Sequence, residues 1–141
     1  MRAVLQRASR AQVRVDGVPV GELTRPGLVA LVAATHDDGP AQVATMVRRI
    51  AELRILAEEE SVESIQAPVL VVSQFTLYAD VRKGRRPSWS RAATASLAEP
   101  LIEAVIAGLR DRGVEVATGR FGAQMEVELV NDGPFTVILD T

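Results

Sequence analysis

Two short polar segments adjoin apolar runs and carry residue types that could build an active site. One is NDGPFT at residues 131–136, which interrupts an apolar run near the C-terminus and places Pro134 directly after Gly133. Glycine tolerates positive φ, and an X-Pro bond costs only about 0.5–1 kcal/mol to hold in the cis form. A cis bond here would hold two carbonyl oxygens in a fixed direction. An ordinary turn between two terminal strands is the structural alternative.

The other segment is SQFTL at residues 73–77, which follows the apolar run 68–72 without a break. Such a run predicts a strand buried on both faces, so Ser73, Gln74 and Thr76 fall at its end, where functional sites gather. Taken alone, serine and threonine at a strand end are more typical of capping or turn residues.

The usual side chains of hydrolytic and metal centres are scarce in this chain. His36 is the single histidine and lies in an Asp/Gly/Pro turn, so we predict a loop residue rather than a general base. With one histidine and no cysteine, a zinc site lacks its usual ligands. Asp37 and Asp38 are adjacent acids in a turn, which are more typical of solvated carboxylates than of a Mg²⁺ site. No glycine-rich phosphate loop is present, and we expect no metal and no cofactor.

Positive charge is concentrated in one segment, although the formal net charge of the chain is −2. Residues 82–91 contain Arg82, Lys83, Arg85, Arg86 and Arg91 and no acid. A solvated loop is one interpretation of this run, but an RNA substrate would need such a local patch. The tryptophan within it, at position 89, is predicted to pack on the core, with stacking on a base as the alternative.

Length and composition predict a single domain over residues 1–141, since 48% apolar residues are enough for a core. The absence of cysteine is compatible with a reducing compartment. No signal peptide or membrane-spanning stretch is visible, so we expect a soluble cytoplasmic protein with no membrane partner.

The hydrophobic pattern predicts an α+β fold in which a largely antiparallel or mixed sheet forms a barrel-like core with two main helices packed on it. The first helix is predicted at 41–56 and the second at 99–112, with Pro100 in its first turn and Gly113 closing it. Residues 58–66 are predicted to be an acidic connection with little pattern. Strands are predicted at 2–7, 11–15, 18–23, 28–34, 68–72, 114–117, 124–130 and 135–139.

Taken together, SQFTL and NDGPFT resemble the two signature motifs of the D-aminoacyl-tRNA deacylases. The likeness extends to MRAVLQR at 1–7, KGRRPS at 83–88 and GRFGA at 119–123, in the family's order and over nearly the whole chain. The resemblance implies a hydrolase that cleaves the ester of D-aminoacyl-tRNA to free D-amino acid and tRNA, a chiral proofreading step of translation. This ester is already activated, so positioning, an oxyanion site and a guided water suffice without a strong nucleophile.

The resemblance also implies how the ester would be attacked. Ser73, Gln74, Phe75 and Thr76 would form the floor of the pocket, with backbone N–H groups around Phe75 and Thr76 as the oxyanion site. The 2′-hydroxyl of the terminal adenosine would assist the attack. Thr76 as a nucleophile that forms an acyl-enzyme is the competing idea, although no base is visible beside it in the sequence.

Chiral selection is implied to come from a second copy of the chain. In the family, a Gly-cisPro pair enters the partner's active site, where its carbonyls hold the substrate's amino group and its backbone blocks an L side chain. Gly133 and Pro134 match that pair. Glycine has no side chain to exclude, so glycyl-tRNA is implied as a second substrate. A homodimer with two composite active sites at its interface follows.

Further positions match the family motifs, and some have structural alternatives. Arg7 is a candidate brace for the Gly-Pro loop, or else a surface cation at a strand end. Phe121 is a candidate seat for the terminal adenine, or else core. The remaining substrate-binding candidates are Asn131 and Thr136 beside the Gly-Pro pair, Gly122 and Ala123 at the adenine, and Lys83, Arg85 and Arg86 along the tRNA.

One departure from the family pattern lies between Ile55 and Pro68, where the chain is shorter than many relatives and lacks a Met-Asn pair. The pocket edge that this segment would form is therefore not predicted. A second functional hypothesis remains open. Because the sequence shows no catalytic general base, the chain is also compatible with a dimeric module that binds an amino acid or an RNA 3′ end without catalysis.

Overall fold

The computed structural model describes residues 1–82 and 84–141 and shows an α+β fold, as the sequence predicts. Two 3₁₀ turns, Ala57–Glu59 and Phe75–Tyr78, lie between its regular elements. The strands are β1 (Arg2–Val15), β2 (Val18–Glu22), β3 (Gly27–Ala33), β4 (Val69–Ser73), β5 (Val116–Thr118) and β6 (Glu126–Asp140), and the helices are α1 (Pro40–Glu52), α2 (Val62–Ile65) and α3 (Ala95–Asp111).

The strands form one mixed sheet in the order β2-β1-β3-β4-β5, with β6 paired to the other edge of β1. Strand β1 is antiparallel to β2, β3 and β6, whereas β3, β4 and β5 are parallel to one another. The sheet nearly closes into a barrel where β2 approaches β5. A Cβ built on Gly21 of β2 would lie only 2.2 Å from the backbone oxygen of Thr118, so a residue without a side chain is needed there.

The two predicted strands 2–7 and 11–15 are a single strand, which is a correction to the sequence-based prediction. The apolar alternation is broken because the register of β1 against β6 shifts between Gln6 and Ala8 and again between Ala8 and Arg10. These shifts change which face of the strand is buried. Ala3 and Leu5 belong to the cluster under the helices, whereas Val13 belongs to the cluster inside the barrel.

Alternate residues of the central strands therefore supply two apolar layers. Leu28 and Val71 pack toward α1 and α3, while Val29 and Leu70 point into the barrel. Burial of both faces explains why these strands are continuous apolar runs. Each fully buried aliphatic side chain contributes about 1.5–3 kcal/mol relative to an exposed one. The sheet is therefore a rigid support for the residues at its strand ends.

The helix ends differ from the predictions. Helix α1 stops at Glu52 rather than near residue 56, because Leu53 takes an extended conformation. Helix α3 begins at Ala95 with Thr94 as its N-cap, so Pro100 lies inside the helix and not in its first turn. Pro100 has no N–H to donate to the carbonyl of Ser96, and both residues are exposed to solvent. The connection 58–66 is also more ordered than predicted, since it holds the short helix α2 with buried Val62.

The segment 131–136 is an outward excursion of one strand, and the alternative of an ordinary turn between two strands is wrong. Gln6 pairs with Thr136 and Ala8 pairs with Asn131, so residues 132–135 lie opposite Arg7 alone. The halves of β6 on either side pair with the same strand in the same direction, and the Gly133–Pro134 peptide bond is cis.

None of the helices in the described part of the chain is long and apolar enough to cross a bilayer.

Candidate active site

The SQFT segment begins where two parallel strands end. Ser73 is the last residue of β4 and lies beside Val32 of β3. The next residue leaves the sheet, but its N–H still donates to the oxygen of Val32 at 2.8 Å. This bond fixes the direction in which the chain enters the Phe75–Tyr78 turn. The carboxyl ends of parallel strands are a common place for binding sites, and the polar residues fall there as predicted.

The 3₁₀ turn leaves backbone donors at its start. At the two ends of the turn, the N–H of Leu77 donates to the oxygen of Gln74 at 3.1 Å, and the N–H of Ala79 donates to the oxygen of Thr76 at 3.0 Å. The first N–H groups of a helical turn have no acceptor inside it, and here these belong to Phe75 and Thr76. Such donors can stabilise the negative oxygen that develops during ester hydrolysis.

Two adjoining pockets open on this segment. The larger has a volume of about 300 Å³, and its lining includes Ser73, Phe75, Phe121 and Gly122. The smaller has a volume of about 200 Å³, and its lining includes Ser73, Gln74, Phe75, Gly122 and Ala123. The structure therefore brings the SQF residues and the 121–123 residues together, as candidates for one site. Residues 55–68, where the chain departs from the family pattern, line neither pocket.

Thr76 is placed differently from the other three residues of its segment, because it lines neither of these pockets. Its Oγ1 accepts a hydrogen bond from the side-chain amide of Gln74. Among the hydrogen bonds of the described residues, none joins Thr76 to a carboxylate or imidazole that could remove its proton. The imidazole of His36 lies elsewhere, with Nε2 3.3 Å from the oxygen of Ser90.

The 131–136 loop is held by side chains from its own chain. Arg7 donates from Nε to the oxygen of Asp132 at 3.0 Å and from Nη2 to the oxygen of Gly133 at 3.2 Å. The same Nε lies 3.0 Å from a carboxylate oxygen of Asp132, and the guanidinium carbon lies 4.5 Å from the centre of the Phe135 ring. Only 16% of the Arg7 side chain is exposed, so it is a packed group and not a free surface cation.

The base of the loop is closed by Asn131 and Thr136. The amide of Asn131 donates to the oxygen of Arg7 at 2.8 Å and to the oxygen of Phe135 at 3.2 Å. The Thr136 hydroxyl donates to the Asn131 oxygen at 3.4 Å and accepts from Gln6 at 3.1 Å. These bonds bridge the gap that the excursion leaves in the ladder. None of the residues 131–136 lines either pocket of the same chain.

The basic segment is exposed at Arg82, Arg85, Arg86 and Arg91, while Lys83 lies outside the described residues. The prediction that Trp89 packs on the core is wrong, because 41% of this residue is exposed. Its ring meets Phe75 edge to face, with centroids 5.5 Å apart and an interplanar angle of 77°. The tryptophan is thus a neighbour of the pockets.

Sequence reasoning missed two residues behind the site. Tyr78 ends the 3₁₀ turn and is buried, with Arg2 5.3 Å and Arg91 5.7 Å from its ring centre. Arg2 also donates to the oxygen of Leu77 at 3.3 Å and forms a two-bond pair with Asp140 at 2.8 and 3.0 Å. The sequence feature that points to Tyr78 is its position directly after the SQFTL motif.

Burial at Tyr78 and the ion pair at Asp140 shift the pKa values of these two groups. Burial, with a contribution from the charge of Asp38, raises the pKa of Tyr78 to about 12. The hydrogen bond from Arg2 holds the pKa of Asp140 below its ordinary value. Both effects favour a neutral phenol and a charged pair under the turn at neutral pH.

Comparison with known proteins agrees with the motifs. Residues 4–140 match the profile of the family described as D-Tyr-tRNA(Tyr) deacylase. Proteins named D-aminoacyl-tRNA deacylase from Kineococcus radiotolerans and Beutenbergia cavernae are 59% and 61% identical to this chain, with 99% of both chains covered in each case.

Two solved structures share the fold. One is a c-Myc DNA unwinding element binding protein, with a TM-score of 0.91, 34% identity, and 100% of this chain and 99% of that one covered. The other is described as a probable eukaryotic D-amino acid tRNA deacylase, with a TM-score of 0.85, 19% identity, and 99% of this chain and 98% of that one covered.

Proposed function

The chain belongs to the D-Tyr-tRNA(Tyr) deacylase family, and from that membership we propose that it hydrolyses the ester of D-aminoacyl-tRNA to D-amino acid and tRNA. The observation that carries the proposal is near-complete alignment with relatives named for this activity, in a chain whose Ser73, Gln74 and Phe75 line a pocket. The enzyme would act in the cytoplasm, where aminoacyl-tRNA is used.

The chemistry needs no protein nucleophile. Water adds to the ester carbonyl carbon, the bond to the ribose oxygen breaks, and that oxygen takes up the proton. The backbone N–H groups of Phe75 and Thr76 hold the carbonyl oxygen as its charge develops. The 2′-hydroxyl of the terminal adenosine assists the attack. The competing route, an acyl-enzyme on Thr76, is less well supported because its hydroxyl contacts Gln74 and no base.

Recognition of the tRNA end is assigned to the two pockets and the basic segment. The adenine of the terminal adenosine lies against Phe121, Gly122 and Ala123, whose backbone and ring line the pockets next to Phe75. Arg85 and Arg86, with Lys83 outside the described residues, meet the phosphates that follow.

Chiral selection is assigned to the Gly133–Pro134 loop of a second protomer in a homodimer. Two features support this. The loop lines neither pocket of its own chain, and a Cβ added at Gly133 would meet nothing closer than Asn131 Oδ1 at 4.0 Å, so its outward face is open. Inserted into the partner's site, carbonyls braced by Arg7 hold the substrate's amino group, and the backbone blocks an L side chain. Glycyl-tRNA has no such side chain and is also hydrolysed.

The test is a comparison of purified protein on D-Tyr-tRNA and L-Tyr-tRNA, with release of free tyrosine measured. We expect release from the D ester and little from the L ester. A non-catalytic dimeric module for an amino acid or an RNA 3′ end, the second candidate, releases neither. Equal release from both esters would leave a hydrolase and reject the chiral mechanism.

A further inference from the structure

Two aromatic rings lie together on the surface at the edge of the site. Phe75 is 55% exposed and Trp89 is 41% exposed, and they are in edge-to-face contact at 5.5 Å. The chain has only one tryptophan and three phenylalanines, so this pair places much of its large aromatic surface in water. Neighbouring aromatic rings left in water are typical of an interaction surface.

The pair has a defined position relative to the pockets. Phe75 lines both pockets, whereas Trp89 lines neither of them and contacts the Phe75 ring. The backbone around the indole is fixed, since Asp80 and Ser88 exchange two hydrogen bonds of 2.8 and 3.0 Å, and Ala92 donates to the oxygen of Trp89 at 3.0 Å. A chain that leaves the pockets over Phe75 next meets Trp89.

The charge around the pair identifies what would cover it. The segment 82–91 holds no acid, and its described arginines are exposed. Arg82 is paired with Asp80 at 2.5 Å and Arg91 lies over the Tyr78 ring, whereas the ion pairs among residues 1–82 and 84–141 do not include Arg85 or Arg86. Aromatic rings beside unpaired cations are the combination that binds single-stranded RNA, because bases stack while phosphates are neutralised.

We propose that Trp89, supported by Phe75, stacks on the base that precedes the terminal adenosine of the tRNA acceptor end. Trp89 is then a residue that positions the substrate, outside the pocket where the ester is cleaved. This inference rests on the proposed function, because it takes aminoacyl-tRNA as the ligand.

The experiment compares two substrates that differ in whether this base is present. The first is D-Tyr-tRNA and the second is adenosine carrying a D-tyrosyl ester on its 3′-oxygen. For Trp89→Ala we expect kcat/KM on D-Tyr-tRNA to fall roughly 5- to 100-fold, chiefly through KM, as loss of one base–aromatic stack predicts. On the adenosine ester the variant should stay within about twofold of wild type.

Two further variants serve as controls. Trp89→Phe keeps a stacking ring and should recover most of the loss. Val18→Ala removes apolar surface that is 61% exposed on β2, away from the pockets, and should leave both substrates unaffected. An equal loss on both substrates, or no loss on either, overturns the proposal, provided that circular dichroism shows each variant to be folded.

A binding measurement separates this inference from the proposed function. The single tryptophan reports on its own surroundings, so we expect a CCA trinucleotide to quench its fluorescence and adenosine alone to leave it largely unchanged. That result would support stacking even if wild-type protein hydrolysed no ester. Tryptophan fluorescence that does not change when the trinucleotide is added would reject the assignment to RNA. Fluorescence that changes only with protein concentration would also reject it, because a second copy of the chain would then cover the indole.

Discussion

At the scale of single residues, the proposed mechanism uses main-chain atoms that a few side chains hold in place. Arg7 is the clearest case, because its guanidinium reaches two consecutive carbonyls of the 131–136 loop and also covers Phe135. A lysine would keep the charge but not the fork of donors.

Arg7→Lys should therefore impair the enzyme more than it impairs folding. Hydrogen bonds from a charged group contribute about 1.5–3 kcal/mol each, so we expect kcat/KM on D-Tyr-tRNA to fall roughly 10- to 100-fold. The control is Arg10→Lys on the same strand, an exposed residue 3.6 Å from Glu128. Steady-state kinetics of both variants measure the loss in kcat/KM, and thermal unfolding measures the loss in stability. Equal activity of the two variants would contradict a bracing role for Arg7.

Thr76→Ala tests the route of attack. If water is the nucleophile, the variant should keep activity within about tenfold of wild type, because the hydroxyl contacts Gln74 rather than a base. Single-turnover hydrolysis of D-Tyr-tRNA and a binding measurement are needed. Complete loss of turnover with intact folding and binding would instead support an acyl-enzyme.

Tyr78 gives a pH prediction that a spectrum can check, since it is the only tyrosine in the chain. Tyrosinate absorbance near 295 nm should appear with an apparent pKa of about 12. The folded pKa is raised, so the neutral phenol stabilises the fold below the unfolded value of about 10, and this stability is lost as pH rises through the folded value. Titration near pH 10 in folded protein would show that the phenol is not buried as described.

At the scale of elements, the sequence predicts most of the architecture and misses its irregularities. Continuous apolar runs identify β3 and β4, and three- and four-residue steps identify α1, because these elements bury regular faces. The long strand β1 was divided because its register shifts change the buried face, and that depends on pairing with β6. Local propensity predicts Pro100 in the first turn of its helix, but α3 begins at Ala95, and Ala98 in the added turn is buried.

For the candidate site, likewise, the sequence predicts some of the residues and misses others. The motifs single out SQFT and the 121–123 residues, and the structure places Ser73, Gln74 and Phe75 in pockets shared with residues 121–123, whereas Thr76 lines neither pocket. The sequence predicts a buried Trp89, which is exposed, and does not single out Tyr78, which is buried, because the packing of a loop leaves no periodic pattern in the sequence.

The near-closure of the barrel gives a stability prediction. Gly21→Ala would place a Cβ 2.2 Å from the oxygen of Thr118, and the strands would have to separate. We expect a loss of about 1–3 kcal/mol in the free energy of unfolding, as for other overpacked positions. The matched change Val18→Ala, at an exposed position of the same strand, should cost less than about 0.5 kcal/mol. The measurement is denaturant unfolding of both variants. Equal losses in the free energy of unfolding would mean that β2 and β5 do not contact each other.

At the scale of the whole molecule, one protomer contains every part of the proposed site but does not bring the parts together. The pockets lie at the ends of β3 and β4, whereas the 131–136 loop lines neither of them. A homodimer in which each loop completes the partner's pocket would join them, and its two-fold symmetry would give two equal sites.

Gly133→Ala examines this arrangement without disturbing the single protomer. The added Cβ has free space in its own chain, so thermal stability should stay within about 2 °C of wild type. In the partner's pocket the same methyl group would occupy substrate space, and hydrolysis of D-Tyr-tRNA should fall at least tenfold by our account of steric exclusion. Full activity in this variant would place the loop outside the site.

Subunit mixing tests the central claim most directly. Gly133→Ala damages the loop, and Ser73→Leu fills the space that the two pockets share. Each variant alone should be nearly inactive on D-Tyr-tRNA. After exchange of equal amounts, half of the dimers are mixed and each has one intact site, so activity should return to about one quarter of the wild-type rate. A mixture as inactive as its components, with exchange verified, would contradict a site built from two protomers.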